Sequence, residues 1–290
     1  MRAPLSLKTA IFIFILTAWG TYLALTSPRV TETKQLATLT GDPENGAYVF
    51  TAAGCASCHM DKASNDRLSL SGGQAFVTQF GTFYAPNVSM SGTDGIGNWT
   101  LEHFAAALRD GINPDGQHYF PVFPYTDYAK MTDQDVVDLW AFWRSLPAVE
   151  SANVAHEISF PFSMRRNIGL WKWLYADTPY VSQQGTRGAY LVEALGHCAQ
   201  CHTPRDPFGG LDVSRWMTGA PSADGRANIP PIAPSELKWS SEEIAEYLQS
   251  GFTPEYDMVG GHMAAVVENT SRLTTADRNA IATYLTNLKN

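Results

Sequence analysis

Four cysteines fall into two pairs in this 290-residue chain, and each pair is followed at once by a histidine. The segments are GCASCHM, Gly54 to Met60, and HCAQCHT, His197 to Thr203. Both read C-x-x-C-H, and that pattern restricts what the chain can fold around. Two thiols at this spacing reach the two vinyl groups of one porphyrin, and the adjacent imidazole meets the iron from below. Structural disulfides, a redox-active dithiol or half a zinc site would also use paired cysteines. None of these needs a histidine directly after both pairs. The expectation is two covalently bound haem c groups. Cys55, Cys58, Cys198 and Cys201 are the attachment points, and His59 and His202 are the proximal iron ligands.

The motifs sit in an internal repeat. GAYVFTAAGCASCH starts at Gly46 and GAYLVEALGHCAQCH at Gly188, the second copy carrying an extra residue. Each places an apolar helical face just before the haem-binding turn. WTLEHFAAALRDG, Trp99 to Gly111, matches WSSEEIAEYLQSG, Trp239 to Gly251, without a gap. Thr100 and Ser240 are expected N-caps, with Glu243 completing a capping box. Thr132 and Thr274 open a further helix in each copy, ahead of Asp135 and Asp277. The pattern predicts a mostly α protein: two tandem class I cytochrome c domains, 40–150 and 185–290, behind an N-terminal transmembrane helix. Segment 151–184 is too apolar for a free tether and is expected to be a packed linker. Trp99 and Trp239 are expected to line equivalent haem pockets.

The repeat extends to the sixth iron position. Met263 follows Trp239 by 24 residues and offers a soft, uncharged thioether, with Met258 as the fallback. The same count from Trp99 lands on Phe123, which has no lone pair to give. Three outcomes stay open. The chain supplies a substitute, with His118 first, then Met131, and Met90, Met60 and His103 less well placed; a partner or mobile segment caps the iron; or the iron is five-coordinate behind Phe123. His197, before Cys198, and His156, in the linker, are not expected to bind iron.

Lys8 and Arg2 stand before the apolar run TAIFIFILTAWGTYLALT, residues 9–26. A basic flank ahead of a membrane-competent run is an export signal, with the basic side cytoplasmic. An uncleaved signal anchor over residues 1–30 is preferred to a cleaved signal peptide or a buried helix. It gives a single-pass protein of the inner (cytoplasmic) membrane with its haem domains in the periplasm. A net charge of −8 without a Lys/Arg-rich stripe argues against nucleic acid as a partner.

These residues together resemble the dihaem and multihaem cytochrome c subunits of membrane-bound alcohol, gluconate and related sugar or aldehyde dehydrogenases. The matching stretches are YAPNVSMSGTDGIGNWTLEHFAAALRDGINPDGQHYFPVFPYTDYAKMTDQDV, GAYLVEALGHCAQCHTPR and GGHMAAVVENTSRLTTADRNAIATYL, and the likeness covers nearly all of 41–290. There are two departures. Such subunits commonly carry three haems, whereas these cysteines allow two. The family pattern P-A-M-P-Y is replaced here by Pro121-Val122-Phe123-Pro124-Tyr125. The resemblance implies electron transfer from a periplasmic or membrane-bound dehydrogenase to a quinone- or oxidase-linked acceptor of the respiratory chain. The alternative is a dihaem redox enzyme or small-ligand sensor that uses an open first haem. A peroxidase would want a polar acid–base group near that iron, and only His118 or Glu102 offers one.

Overall fold

The computed structural model describes residues 6–61, 63, 64 and 66–289; Arg2 lies outside the described residues. Helix α1, Leu7–Leu25, is apolar on every side, with a mean hydropathy of 1.5 and no buried residue. At 1.5 Å per residue its length is about 28 Å, close to the thickness of a bilayer core.

Two halves with one element order follow. The first runs α2 (Pro43–Ala52), α3 (Cys55–His59), the hairpin β1 (Ala75–Thr78) and β2 (Gly81–Tyr84), then α4 (Leu101–Ala105). A π turn over Ala106–Asp110 extends α4, and α5 (Tyr125–Tyr128) and α6 (Asp133–Trp143) complete the half. The linker adds β3 (Glu157–Ile158) to the edge of β2 and then forms α7 (Ile168–Tyr175). The second half runs α8 (Arg187–Ala189), a π turn over Tyr190–Leu195, α9 (Ala199–His202), the hairpin β4 (Ala220–Pro221) and β5 (Asn228–Ile229), α10 (Ser241–Ser250), α11 (Gly261–Thr270) and α12 (Thr275–Thr286).

The caps fall where the sequence puts them. Thr100, Thr132, Ser240 and Thr274 each accept a backbone N–H from the third residue of the helix. Ser240 and Glu243 form the capping box, and in the first half His103 takes the role of the glutamate. The first helix of each half crosses the last at a glycine. A Cβ on Gly46 would stand 2.0 Å from the Asp138 carbonyl, and one on Gly188 2.3 Å from that of Ala280. The backbones touch there, and side chains such as Val49, Phe50, Leu139 and Trp143, or Leu191, Ile281 and Tyr284, close the core around the crossing. The extra residue of the second copy is absorbed by the π turn after α8, which widens the helix by one residue per turn and keeps the C-x-x-C-H segment in place.

The halves meet through paired contacts related by an approximate twofold. Tyr48 donates to the Asp277 carboxylate (2.6 Å), and Tyr190 donates to that of Asp135. Each phenol oxygen also accepts a backbone N–H at 3.2 Å, from Thr274 and Thr132. Each tyrosine therefore satisfies the N-terminus of the other half's last helix. Such reciprocity is the mark of an isologous interface, here within one chain.

The linker and the end of α1 are packed on the first half. Tyr22 donates to Asn167 (2.9 Å), and Arg166 donates to the Leu23 carbonyl (2.9 Å). Gly169 lets α7 approach so closely that a Cβ there would stand 2.6 Å from the Thr26 Cα. On the other side Trp171 donates to the Phe208 carbonyl and Tyr175 to Asp206, both in the second half. Segment 151–184 thus touches α1 and both halves.

Candidate haem centres

Each attachment turn opens on a left-handed residue, Gly54 (φ 67°) and His197 (φ 39°), directly before Cys55 and Cys198. This kink turns the first helix into the short helix that carries the motif. Neither cysteine pair is bridged by a disulfide. Burial raises the Cys55 and Cys198 thiols to about 12 each, so both stay protonated at neutral pH. A thioether to a porphyrin carries no charge and suits these surroundings.

The histidines are oriented by a device that local sequence does not announce. The hairpin of each half delivers a proline carbonyl to the imidazole. His59 donates from Nδ1 to the Pro86 carbonyl at 3.0 Å, and His202 from Nδ1 to that of Pro230 at 2.8 Å. The remaining Nε2 carries the lone pair, as an iron ligand must. Burial lowers both imidazoles below their ordinary value, against the opposing pull of the proline carbonyls, so the neutral, ligating form prevails. The signal available in sequence was a proline 27 residues after His59 and 28 after His202. Asn87, one residue beyond Pro86, is buried and donates to the Val149 and Ser151 carbonyls, so it holds the proximal segment.

The distal segments match hydrogen bond for hydrogen bond. Gly111 and Gly251 end their helices in the left-handed region. Ile112 then bridges His118 as Phe252 bridges Met258. Asn113 donates to the Gln117 carbonyl as Thr253 does to that of Asp257, both at 2.9 Å, and Tyr119 donates to Gly111 as Val259 does to Gly251. Phe123 and Met263 stand five residues beyond the equivalent His118 and Met258. Both are half-buried and packed on the core, as are Trp99 and Trp239. Met258, in contrast, is 75% exposed. His118 is buried and gives Nε2 to the Thr26 carbonyl at the end of α1 (3.0 Å).

The two attachment turns are themselves part of the interface. Asn269 of α11 donates to Ser57, inside the first C-x-x-C, at 2.8 Å. Its counterpart Asp127 of α5 accepts from Gln200, inside the second. Tyr128 spans the gap. Its hydroxyl donates to the Ala53 carbonyl (2.9 Å), two residues before Cys55, and its ring stands edge-on to His197 at 5.6 Å.

Paired thiols on a tight turn and a neutral imidazole with Nε2 left free of the proline carbonyl define a haem-attachment protein of the c type. The comparisons with known proteins agree. The cytochrome c family model matches residues 43–147. A dihaem c-type cytochrome of Cereibacter sphaeroides is 47% identical over 96% of both chains. The fructose dehydrogenase cytochrome subunit of Gluconobacter japonicus is 37% identical over 83% of this chain and 51% of its own length. The cytochrome c subunit of the quinone alcohol dehydrogenase of Gluconobacter oxydans is 33% identical over 83% of this chain and 54% of its own. The chain spans about half the length of these two dehydrogenase subunits. It belongs to the cytochrome c family, among the dihaem cytochromes and dehydrogenase cytochrome subunits. Its cofactor is covalent haem c and its work is electron transfer.

Proposed function

We propose that the chain is a membrane-anchored dihaem relay, built as two tandem class I cytochrome c domains, that takes electrons from a dehydrogenase and hands them to a quinone- or oxidase-linked acceptor. Bound haem supplies the one-electron couple. The chain's own part is to hold, orient and insulate. Cys55, Cys58, Cys198 and Cys201 fix the groups, and His59 and His202 bind from the proximal side. Met263 supplies the thioether of the second centre, and Trp99 and Trp239 line the pockets. The observation that carries a relay is the reciprocal interface: each half covers the other's attachment turn, with Tyr128 between them. Such packing keeps both centres close and in fixed relation.

The membrane part of the reading rests on how α1 ends. Its last turn is docked, and α7 lies beside it with Trp173 69% exposed and Leu174 and Leu170 also uncovered. With α1 across the bilayer, these apolar side chains enter the headgroup layer, where Trp is favoured. Lys8, at the end of α1 away from the haem domains, supports a cytoplasmic start and so a periplasmic side for those domains.

The test is pulse reduction in membranes that contain the full chain. An alcohol, sugar or gluconate substrate should reduce the cytochrome's α-band under anaerobic conditions, and oxygen should restore the oxidised spectrum. A band that no dehydrogenase substrate reduces would contradict the relay.

A further inference from the structure

Resting on the two-haem reading, we infer that the first half supplies no sixth ligand to its iron, and that this distal face binds a small neutral exogenous ligand of the diatomic-gas class. The loop that leads to Phe123 repeats, hydrogen bond for hydrogen bond, the loop that leads to Met263 and ends four residues before each. A phenyl ring therefore stands at the count where the second half has a thioether, in a turn rather than in the first turn of a helix. The ring of Phe123 is edge-on to Tyr119, Tyr125 and Tyr128, with centroids 6.0, 6.3 and 5.8 Å away. This wall is aromatic, and the Tyr125 hydroxyl in it is buried without a hydrogen-bond partner. Burial raises the Tyr119 phenol to about 12 and that of Tyr125 further, so neither offers a phenolate.

The other donors of this half do not correspond to Met263. His118 corresponds to Met258 rather than to Met263; its Nε2 holds the end of α1 through Thr26, and its Nδ1 is buried without a partner. Met131 corresponds to Leu273. Both are buried, each directly before the N-cap threonine of its half's last helix, so Met131 has a packing role that a leucine fills equally well. Met60 directly follows the proximal His59 and packs against the core. Met90 lies four residues beyond Pro86, on the segment that supports His59, with its N–H on the Pro147 carbonyl at 3.3 Å. His103 is engaged in the α4 capping box. An iron with one strong axial ligand and an aromatic, uncharged distal face takes up neutral diatomics and disfavours anions.

The experiment uses the full holoprotein in detergent, with the haem count per chain established first by peptide mass. Carbon monoxide is titrated into the ferrous form and followed by the Soret difference spectrum. The expected uptake is about one per chain, half the haem, and Phe123→Met should retain both haems while lowering uptake at least about tenfold. Two low-spin haems that take up no gas would overturn the inference, as would Phe123→Met uptake equal to wild type. Uptake that appears only in His118→Ala or Met90→Leu would also overturn it and would name the true ligand. A single haem per chain, on the carboxy-terminal peptide, would overturn the two-haem reading as well, and the mass would show it before any gas is added.

Discussion

The two halves share a crossing of helices at glycine, a hairpin that delivers a proline carbonyl, and a distal loop with one hydrogen-bond scheme. They differ in what covers that loop and in one side chain at its end. In the first half the loop lies under α1, with His118 holding Thr26 and Arg165 donating to the His118 carbonyl. In the second half the equivalent loop is bare, with Phe252, Tyr256 and Met258 exposed. The first half is thus the docked, structural side and carries phenylalanine at the ligand position. The second faces solvent and carries the thioether.

The comparison breaks most visibly at the attachment turns. Cys198→Ser with Cys201→Ser should remove half the bound haem, and Cys55→Ser with Cys58→Ser the same amount, read by the pyridine haemochrome assay. Unequal losses, or none, would show that the copies are not equivalent in attachment. Met263→Phe makes the second half imitate the first. Its haem is expected to become high-spin in the ferrous state, and carbon monoxide uptake to rise from about one to about two per chain, with a lower reduction potential. Unchanged uptake would remove Met263 as the ligand.

The interface gives smaller effects. Tyr48→Phe and Tyr190→Phe should each destabilise the holoprotein by about 1–3 kcal/mol in chemical denaturation, because each removes one hydrogen bond from a carboxylate and leaves a helix N–H without its partner. The loss should be larger for Tyr190, the more buried of the two. Smallest is an acid effect. The Arg187 guanidinium, with help from Tyr48, holds the Asp277 carboxyl below its ordinary value of 3.8 despite burial. Its stabilisation is complete above the unfolded value and is lost as pH falls below about 4. Asp277→Asn should flatten the acid limb of the stability profile; an unchanged limb would show that Arg187 contributes nothing there.

Much of this was legible in the sequence because it is local or repeated. The C-x-x-C-H turns, the threonine and serine caps, and the gap-free match of Trp99–Gly111 with Trp239–Gly251 all depend on near neighbours. The substitution at Phe123 emerges from counting alone. What escaped depends on distant chain. Sequence could not show that Pro86 and Pro230 hold the imidazoles, nor that the extra residue before Cys198 becomes a π turn. It favoured His118 as a substitute ligand on spacing, and could not show that its Nε2 meets a carbonyl 92 residues earlier. The reciprocal Tyr48–Asp277 and Tyr190–Asp135 contacts join different halves, so helical periodicity could only mark these residues as cap or core.

The most direct test of the account is an iron-edge anomalous map of the crystallised holoprotein. It should show two irons, one on Nε2 of His59 and one on Nε2 of His202, with the Met263 sulfur on the second alone. A single iron, a sulfur–sulfur bridge within either C-x-x-C, or matching protein ligands on both distal faces would contradict it.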